Sequence, residues 1–358
     1  MAALDLRARG YSVTVVERQQ YPFHRVCGEY ISNEVLPYLR RLDADPAVLG
    51  PAQLTRFAVS SPGGRVLFVP LDLGGFGVSR YALDYHLCQL AEARSVTVLQ
   101  QATVVAVGFE PATDSHTVTL ADGRQLAARA VLGAFGKRSA FDRQLQRPFF
   151  QQRSPYIGIK HHLRLDFPVD LIALHNFRDG YAGISAVEDG RSCFCYLTTR
   201  QNLKEHGTIG QLEEQVLARN PHIRRILTEA EFLYPQPEVI NEISFAPKTC
   251  VEDHMLLCGD AAGLITPLCG NGMAMAIHGA QLASAHLHDF LQGYTTRATL
   301  ESRYRHTWHQ HFGRRLQVGR LVQGLFGRPV LSEAVVGGLR HLPGAVRAMM
   351  RQTHGQPF

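Results

Sequence analysis

Residues Ala2–Gly10, AALDLRARG, read as the tail of a helix, and YSVTVVE, Tyr11–Glu17, reads as a buried strand that ends on an acid. Arg7 and Arg9 suit the negative end of the helix, and Gly10 can take the left-handed conformation that closes it. The β-branched run fits a parallel strand covered on both faces. Helix, glycine, strand and terminal acid in this order form the second half of a βαβ unit. In such units a first strand and a Gly-x-Gly-x-x-Gly turn precede the helix, and an acid about 20 residues past the turn binds a ribose. Glu17 holds the place of that acid. Met1 falls where the middle of the crossover helix belongs, so the expectation is that the strand and its glycine turn are encoded upstream. A chain with this opening is expected to build an α/β fold around a parallel sheet.

The rest of the chain divides into interleaved pieces, with no internal repeat or low-complexity linker. The segment RQQYPFHRVCGEYIS is loop-like and leads to a helix near 33–42. Strands are expected at 57–60 and 65–68, then a glycine-rich turn, LDLGGFG, before the helix YALDYHLCQLAEA. The stretches ATVVAVGFE and HTVTLADGRQLAARAVLGAFG alternate like a small antiparallel sheet that feeds back to a core strand. Between Pro148 and Pro247 the pattern is mainly β, with one helix over 209–219. The expected organisation is a cofactor domain from 1–42, 80–148 and 246–296, a substrate-binding β region from 43–79 and 149–245, and a basic helical tail over 297–358.

Composition narrows the class. Hydrophobic residues make up 45% of the 358 and charged residues 19%, which suits a globular chain with a real core. No apolar run approaches the ~20 residues needed to span a bilayer. Seven cysteines without a CxxC pair point to a reducing cytoplasm rather than a disulfide framework, and metal binding is not expected. The net charge of +6 is placed unevenly: from Arg297 to Arg351 ten arginines face two acids, Glu301 and Glu333. No nucleic-acid-binding module accompanies them. Apolar residues recur there at helical spacing (Leu316, Leu321, Val322, Leu325, Phe326, then Val335, Val336, Leu339, Leu342, Val346, Met349 and Met350). Two readings fit: helices packed on the body with a solvated basic face, or contact with an anionic membrane surface.

The strongest chemical signal is MLLCGDAAGLITPLCGNGMAMA, Met255–Ala276. A buried strand ends at Gly259, where a side chain would block a ligand's approach to the backbone. Asp260 then presents a carboxylate at the carboxyl end of the sheet, where ligands of open α/β folds bind and where it can accept hydrogen bonds from sugar hydroxyls. Further on, Gly270, Asn271 and Gly272 open a helix, whose free N–H groups favour developing negative charge.

This ordered set resembles the flavin-dependent superfamily that includes geranylgeranyl reductases, aromatic hydroxylases and flavin-dependent halogenases, and most of all the geranylgeranyl-reductase branch. The resemblance runs from Ala2 to about Leu291. It implies a Rossmann-like FAD-binding domain, here without its first strand, interleaved with a β-sheet substrate domain and followed by a helical tail. It further implies that Gly259 and Asp260 contact the ribityl chain and pyrophosphate, and that Gly270, Asn271 and Gly272 lie against the isoalloxazine. Glu17 matches the acid that binds the adenosine ribose. Arg80, in an Arg-x-x-Leu-Asp-x-x-Leu pattern, matches an arginine that contacts FAD. Val104 matches a backbone contact to the adenine, and Arg25, Cys27 and Gly28 match the loop beside the flavin. Arg80 also has a simpler reading, as a helix-surface partner of Asp84 four residues on.

Departures from the pattern bear on the reaction. Phe135 stands where the hydroxylase branch has an aspartate, while Gly136 and Ser139 match. On the substrate-facing strand Tyr181 is retained, but Gly183, Ser185 and Ala186 replace bulky residues, which implies a roomier pocket. The halogenase tryptophan motif is absent, since Trp308 is the only tryptophan. The resemblance thus implies reduction of an apolar or isoprenoid-type double bond through reduced FAD, with NAD(P)H as electron donor. The alternative is oxygenation of a lipophilic or aromatic substrate, and a second is a non-catalytic flavoprotein remnant. No side chain is an obvious acid or base; His24, His161, His162, His175 and Tyr181 are the candidates.

Overall fold

A computed structural model describes residues 1–324, 326–339, 344, 352 and 354–358, and leaves the side chain of Cys269 undescribed. Of the tail positions named above, Leu325, Leu342, Val346, Met349 and Met350 lie outside the described residues. No described helix is long and apolar enough to cross a membrane.

The opening helix, Ala2–Ala8, closes as its sequence predicts: Gly10 sits at φ +89° and donates to the Arg7 carbonyl at 2.9 Å. The chain then enters strand Thr14–Val16, which runs parallel to Thr97–Leu99. A second parallel pair joins Leu132–Gly133 to Met255–Leu257. Between the two pairs no ladder hydrogen bonds occur among the described residues. Both pack against the 20-residue helix Gly272–Leu291, and Val13 touches the cores on either side. A small antiparallel sheet, Val104–Glu110, Ser115–Leu120 and Gln125–Ala128, forms where the alternation predicts it.

Among the described residues the large sheet has nine strands, built around Ala52–Ser60, Val66–Gly77, Tyr156–Arg164, Leu171–Phe177, Gly180–Ala186 and Ser192–Thr199. Tyr30–Ser32 joins its edge beside Gly75–Gly77. The stretch LDLGGFG is therefore not the turn expected above but the end of a 12-residue strand. Its glycines serve close approach: a Cβ at Gly75 would strike the Tyr30 ring, and one at Gly77 the Ala186 carbonyl oxygen. The single helix expected over 209–219 is likewise a longer excursion, Arg200–His206, Ile209–Gln215 and Pro221–Glu229. Thr199, Thr208 and Asn220 cap these three helices in turn.

Alternation along the strands divides the sheet into two faces. Ile159, Ala173, Phe194 and Tyr196 pack under the three short helices, with Leu212, Leu217 and Ile223. The opposite face carries Leu174, Tyr181 and Leu197, and meets Leu268, Val322, Phe326 and Val336. The tail thus lies on the body. Helix Arg297–Gln323 buries Leu300, Tyr304, Trp308, Phe312 and Leu316, one residue per turn, against the parallel strands, and Pro329–Leu339 covers the second face of the sheet.

Candidate functional site

Three of the predicted site residues, Glu17, Arg25 and Arg80, meet through Asp84 in one chain of charges. Glu17 leaves its strand with its N–H on the Leu99 carbonyl (2.9 Å) and its own carbonyl on Ala102 N–H (3.0 Å). That register fixes the carboxylate at the strand's carboxyl end, two residues from Val104 along the neighbouring segment. Arg25 donates to the Glu17 carboxylate at 2.9 Å and lies 3.5 Å from Asp84. Asp84 in turn takes two bonds from Arg80, at 2.8 and 2.6 Å. The i,i+4 pair expected as a simple alternative exists, but it is one link in a longer series rather than an isolated surface contact. Arg80 opens the helix Arg80–Ala93, capped by Ser79. Burial works against its charge, but Asp84 and, further off, Cys27 and Asp260 hold the guanidinium protonated.

Asp260 approaches this chain from the other parallel pair. Gly259 turns through φ +57°, and a Cβ there would lie 3.3 Å from that of Ala276. The Asp260 carbonyl accepts from Lys248 at 2.7 Å, while its carboxylate makes no protein hydrogen bond among the described residues. Burial pushes that carboxyl up, and Lys248, Arg80 and Lys137 pull it back. Burial also lowers the Lys137 and Lys248 ammonium groups, each to about 8, against the pull of Asp260. Under the turn lies Arg147, 1% exposed, which donates to Asp142, to the Ala261 carbonyl and to the Thr249 carbonyl.

The second glycine turn behaves as its sequence requires. Gly270 adopts φ +61°, and a Cβ there would lie 3.0 Å from the Tyr30 ring. Asn271 is fully buried and stands immediately before Gly272–Leu291, at the end where four backbone N–H groups lack helical partners. Facing this turn is the sheet. The Tyr181 hydroxyl accepts from Leu268 N–H at 3.0 Å and lies 3.5 Å from Thr266. Gly183 and Ser185 share the Tyr181 side of the strand, since they follow at two-residue steps. Gly28 has open space where a Cβ would project. The Cys27 thiol is pushed up by burial and accepts from Glu29 N–H at 3.4 Å, so it is a neutral packing group.

The histidines separate. His161 bonds Glu213 and His175 bonds Ser60, both on the helix-covered side of the sheet, away from the turns. Burial and the adjacent His222 hold His175 down at about 3. His24 stacks on Tyr81 at 4.7 Å, and His162 bonds Glu29 at 2.6 Å. Sequence reasoning missed Glu29, Lys160, Lys137, Lys248 and Arg147. One signal was present: the strand YIGIKHHLR carries a lysine and two histidines in succession.

Comparison with known proteins bears on the fold. No family model matches the chain. It is 24% identical over 345 residues to conditioned medium factor receptor 1 of Dictyostelium discoideum, covering 86% of this chain and 64% of that protein. It is 25% identical over 173 residues to menaquinone reductase of Mycobacterium tuberculosis, covering 47% and 42%. The chain thus spans less than two thirds of either relative. Among solved structures, CmlS, a flavin-dependent halogenase, aligns with a TM-score of 0.74 at 19% identity over 88% of this chain and 60% of that one. PqsL of Pseudomonas aeruginosa, a probable FAD-dependent monooxygenase, aligns at 0.73 and 17% over 94% and 95%. The flavin-dependent brominase Bmp2 aligns at 0.78 and 16% over 98% and 89%. The fold is that of flavin-dependent halogenases and monooxygenases. The Rossmann-like region with a β-sheet domain, expected from the sequence, is therefore present.

Proposed function

We propose that the protein is an FAD-dependent oxidoreductase acting on a small lipophilic substrate. One observation carries this reading: Glu17, Arg25, Arg80 and Asp260, drawn from three segments of the chain, converge on one site, and Asp260 has a carboxylate that accepts no hydrogen bond from a described protein group. Such a donor set fits FAD. Glu17 would take the adenosine ribose, with Val104 at the adenine, and Asp260 the ribityl hydroxyls. Arg25 and Arg80 would supply positive charge, and the loop at Cys27 and Gly28 would border the ring. When bound, FAD supplies two-electron transfer, or activation of oxygen once reduced.

The chain's own residues do the rest. The helix start at Gly270, Asn271 and Gly272 would favour negative charge on an adjacent ring. Tyr181, with Gly183 and Ser185 beside it, faces that turn from an apolar layer of Val59, Leu174, Leu197 and Phe326. A layer of this kind desolvates an apolar substrate, with the Tyr181 hydroxyl held beside it by Leu268 N–H. Likeness to menaquinone reductase and to the geranylgeranyl-reductase branch supports reduction, with NAD(P)H as donor. The solved halogenases and monooxygenases support oxygenation as the second reading.

Titration with FAD, followed by flavin fluorescence, tests the site. Asp260→Ala is expected to weaken binding by about 1–3 kcal/mol, because sugar hydroxyls lose a buried acceptor. Equal affinity of variant and parent would remove Asp260 from the site. Anaerobic turnover of an apolar alkene, against incorporation of labelled oxygen in air, then separates the two reactions.

A further inference from the structure

Three ionisable side chains sit wholly inside the protein beside the cofactor site: Glu29, Lys160 and His162 are 0, 1 and 3% exposed. One oxygen of Glu29 accepts from Lys160 Nζ at 2.5 Å and from the backbone N–H of Arg80 at 2.9 Å. Its other oxygen pairs with His162 Nε2 at 2.6 Å. Lys160 also donates to the Arg25 carbonyl at 3.0 Å, and the Glu29 carbonyl accepts from Val78 N–H at 3.1 Å. Glu29 itself adopts φ +56°, which costs a non-glycine residue about 1–2 kcal/mol. An apolar side chain could fill this volume at lower cost, since desolvating ions is expensive even when they are paired. It could not bind a loop, a helix start and a sheet strand together.

We propose that Glu29 is a positioning residue that fixes where Arg25 and Arg80 present their guanidinium groups. Through Lys160 it ties the loop carrying Arg25 to strand Tyr156–Arg164. Through the Arg80 N–H it ties the first residue of helix Arg80–Ala93 to the same anchor. The two arginines that meet at Asp84 are thereby held in register by one carboxylate. This rests on reading the site as an FAD cradle only for its consequence in binding; the tether stands on the hydrogen bonds alone. Glu29, His162 and Cys193 also lie within 4.8 Å of one another, a grouping that could hold a metal ion. The Lys160 ammonium already supplies the positive charge there, so the tether is the reading the contacts favour.

The test compares the parent chain with Glu29→Gln and with the double variant Glu29→Gln/Lys160→Met, which removes both charges and guards against misfolding of the single one. Hydrogen exchange read by mass spectrometry is expected to rise about tenfold in peptides covering 24–29 and 78–82, and to stay unchanged in the remaining sheet. FAD affinity is expected to fall about tenfold in both variants. The double variant should recover the parent's melting temperature but neither the exchange protection nor the affinity. Unchanged exchange in either folded variant overturns the tether, as does recovery of all three properties in the double variant. Stoichiometric Zn²⁺ uptake by the parent, with loss of Cys193 thiol reactivity, would overturn it in favour of a metal site. Should the parent fail to bind FAD, the flavin reading falls while the exchange comparison still decides the tether.

Discussion

Replacing Arg147 by methionine tests whether the Asp260 turn is held from beneath by a buried ion pair. Arg147 and Asp142 are 1 and 0% exposed and 2.8 Å apart. The guanidinium also donates to the carbonyls of Ala261 (2.9 Å) and Thr249 (2.8 Å), and lies 3.4 Å from Glu252. Methionine keeps most of the volume, so the loss is almost wholly polar. Removing one partner of a buried pair costs about 3–5 kcal/mol, because the remaining charge is stranded. The two carbonyls lose donors as well, at about 1–3 kcal/mol each where no water replaces the arginine. These costs overlap, and a net loss of about 4 kcal/mol is expected in urea unfolding followed by far-ultraviolet circular dichroism. Asp142→Asn in the same chain should recover part of it, since asparagine can still accept from Ser139 N–H while carrying no charge. A single variant within about 1 kcal/mol of the parent would refute the account. So would a double variant no more stable than the single one.

Other outcomes follow from the same contacts. Gly77→Ala drives a methyl group into the Ala186 carbonyl oxygen, and should cost at least about 2 kcal/mol in urea unfolding. Gly123→Ala, at φ +89° in open space, should cost only about 1 kcal/mol for its backbone strain. Burial alone would raise the Glu29 carboxyl, but the His162 hydrogen bond and the Lys160 charge hold it at about 2, below its ordinary 4.5. A depressed acid stabilises the fold above its unfolded pKa and loses that contribution as pH falls through the folded one. About 3 kcal/mol should therefore disappear between pH 4.5 and 2, and that limb should flatten in Glu29→Gln. Lys137 and Lys248, both lowered to about 8 mainly by burial, must be protonated to attract a phosphate, so FAD affinity should decline as pH rises through 8. An affinity constant between pH 7 and 9.5 would exclude them from the anion's surroundings.

What the sequence revealed of the fold was local in cause. Gly10 adopts the left-handed conformation that its place after a helix predicts, and Gly259 and Gly270 adopt it as well, where the sequence pointed to close backbone approach and to a helix start. The strand leading to Glu17 and the helix opened by Gly272 followed from periodicity in the same way. LDLGGFG failed for an instructive reason. Its glycines were read as turn residues, but their role lies in the Tyr30 ring and the Ala186 carbonyl, which are distant in the chain. The helices after Arg200 failed for the opposite reason: each spans two to three turns, too short to show a period, although Thr208 and Gln211 form a capping box that could have marked one.

The candidate site divides along the same line. Glu17, Asp260 and Gly270, at element ends, stood out because backbone geometry demands something unusual where strands stop and helices start, whereas Arg80 stood out only through its resemblance to a family motif. Residues that hold those ends in place, Glu29, Lys160 and Arg147, act through partners roughly 50 to 130 positions away and leave no short pattern. Yet they concentrate the cost. Every one of them is buried and charged, so each would destabilise the fold if its partners moved apart. That cost converts position into stability: the geometry in which Arg25, Arg80 and Asp260 border the proposed site is also the geometry in which no buried charge among Glu29, Lys160 and Arg147 is left alone. A site assembled from three separate segments of chain needs such a coupling, since Asp84 holds Arg80 within one helix but no local structure joins that helix to the Arg25 loop or to the Asp260 turn.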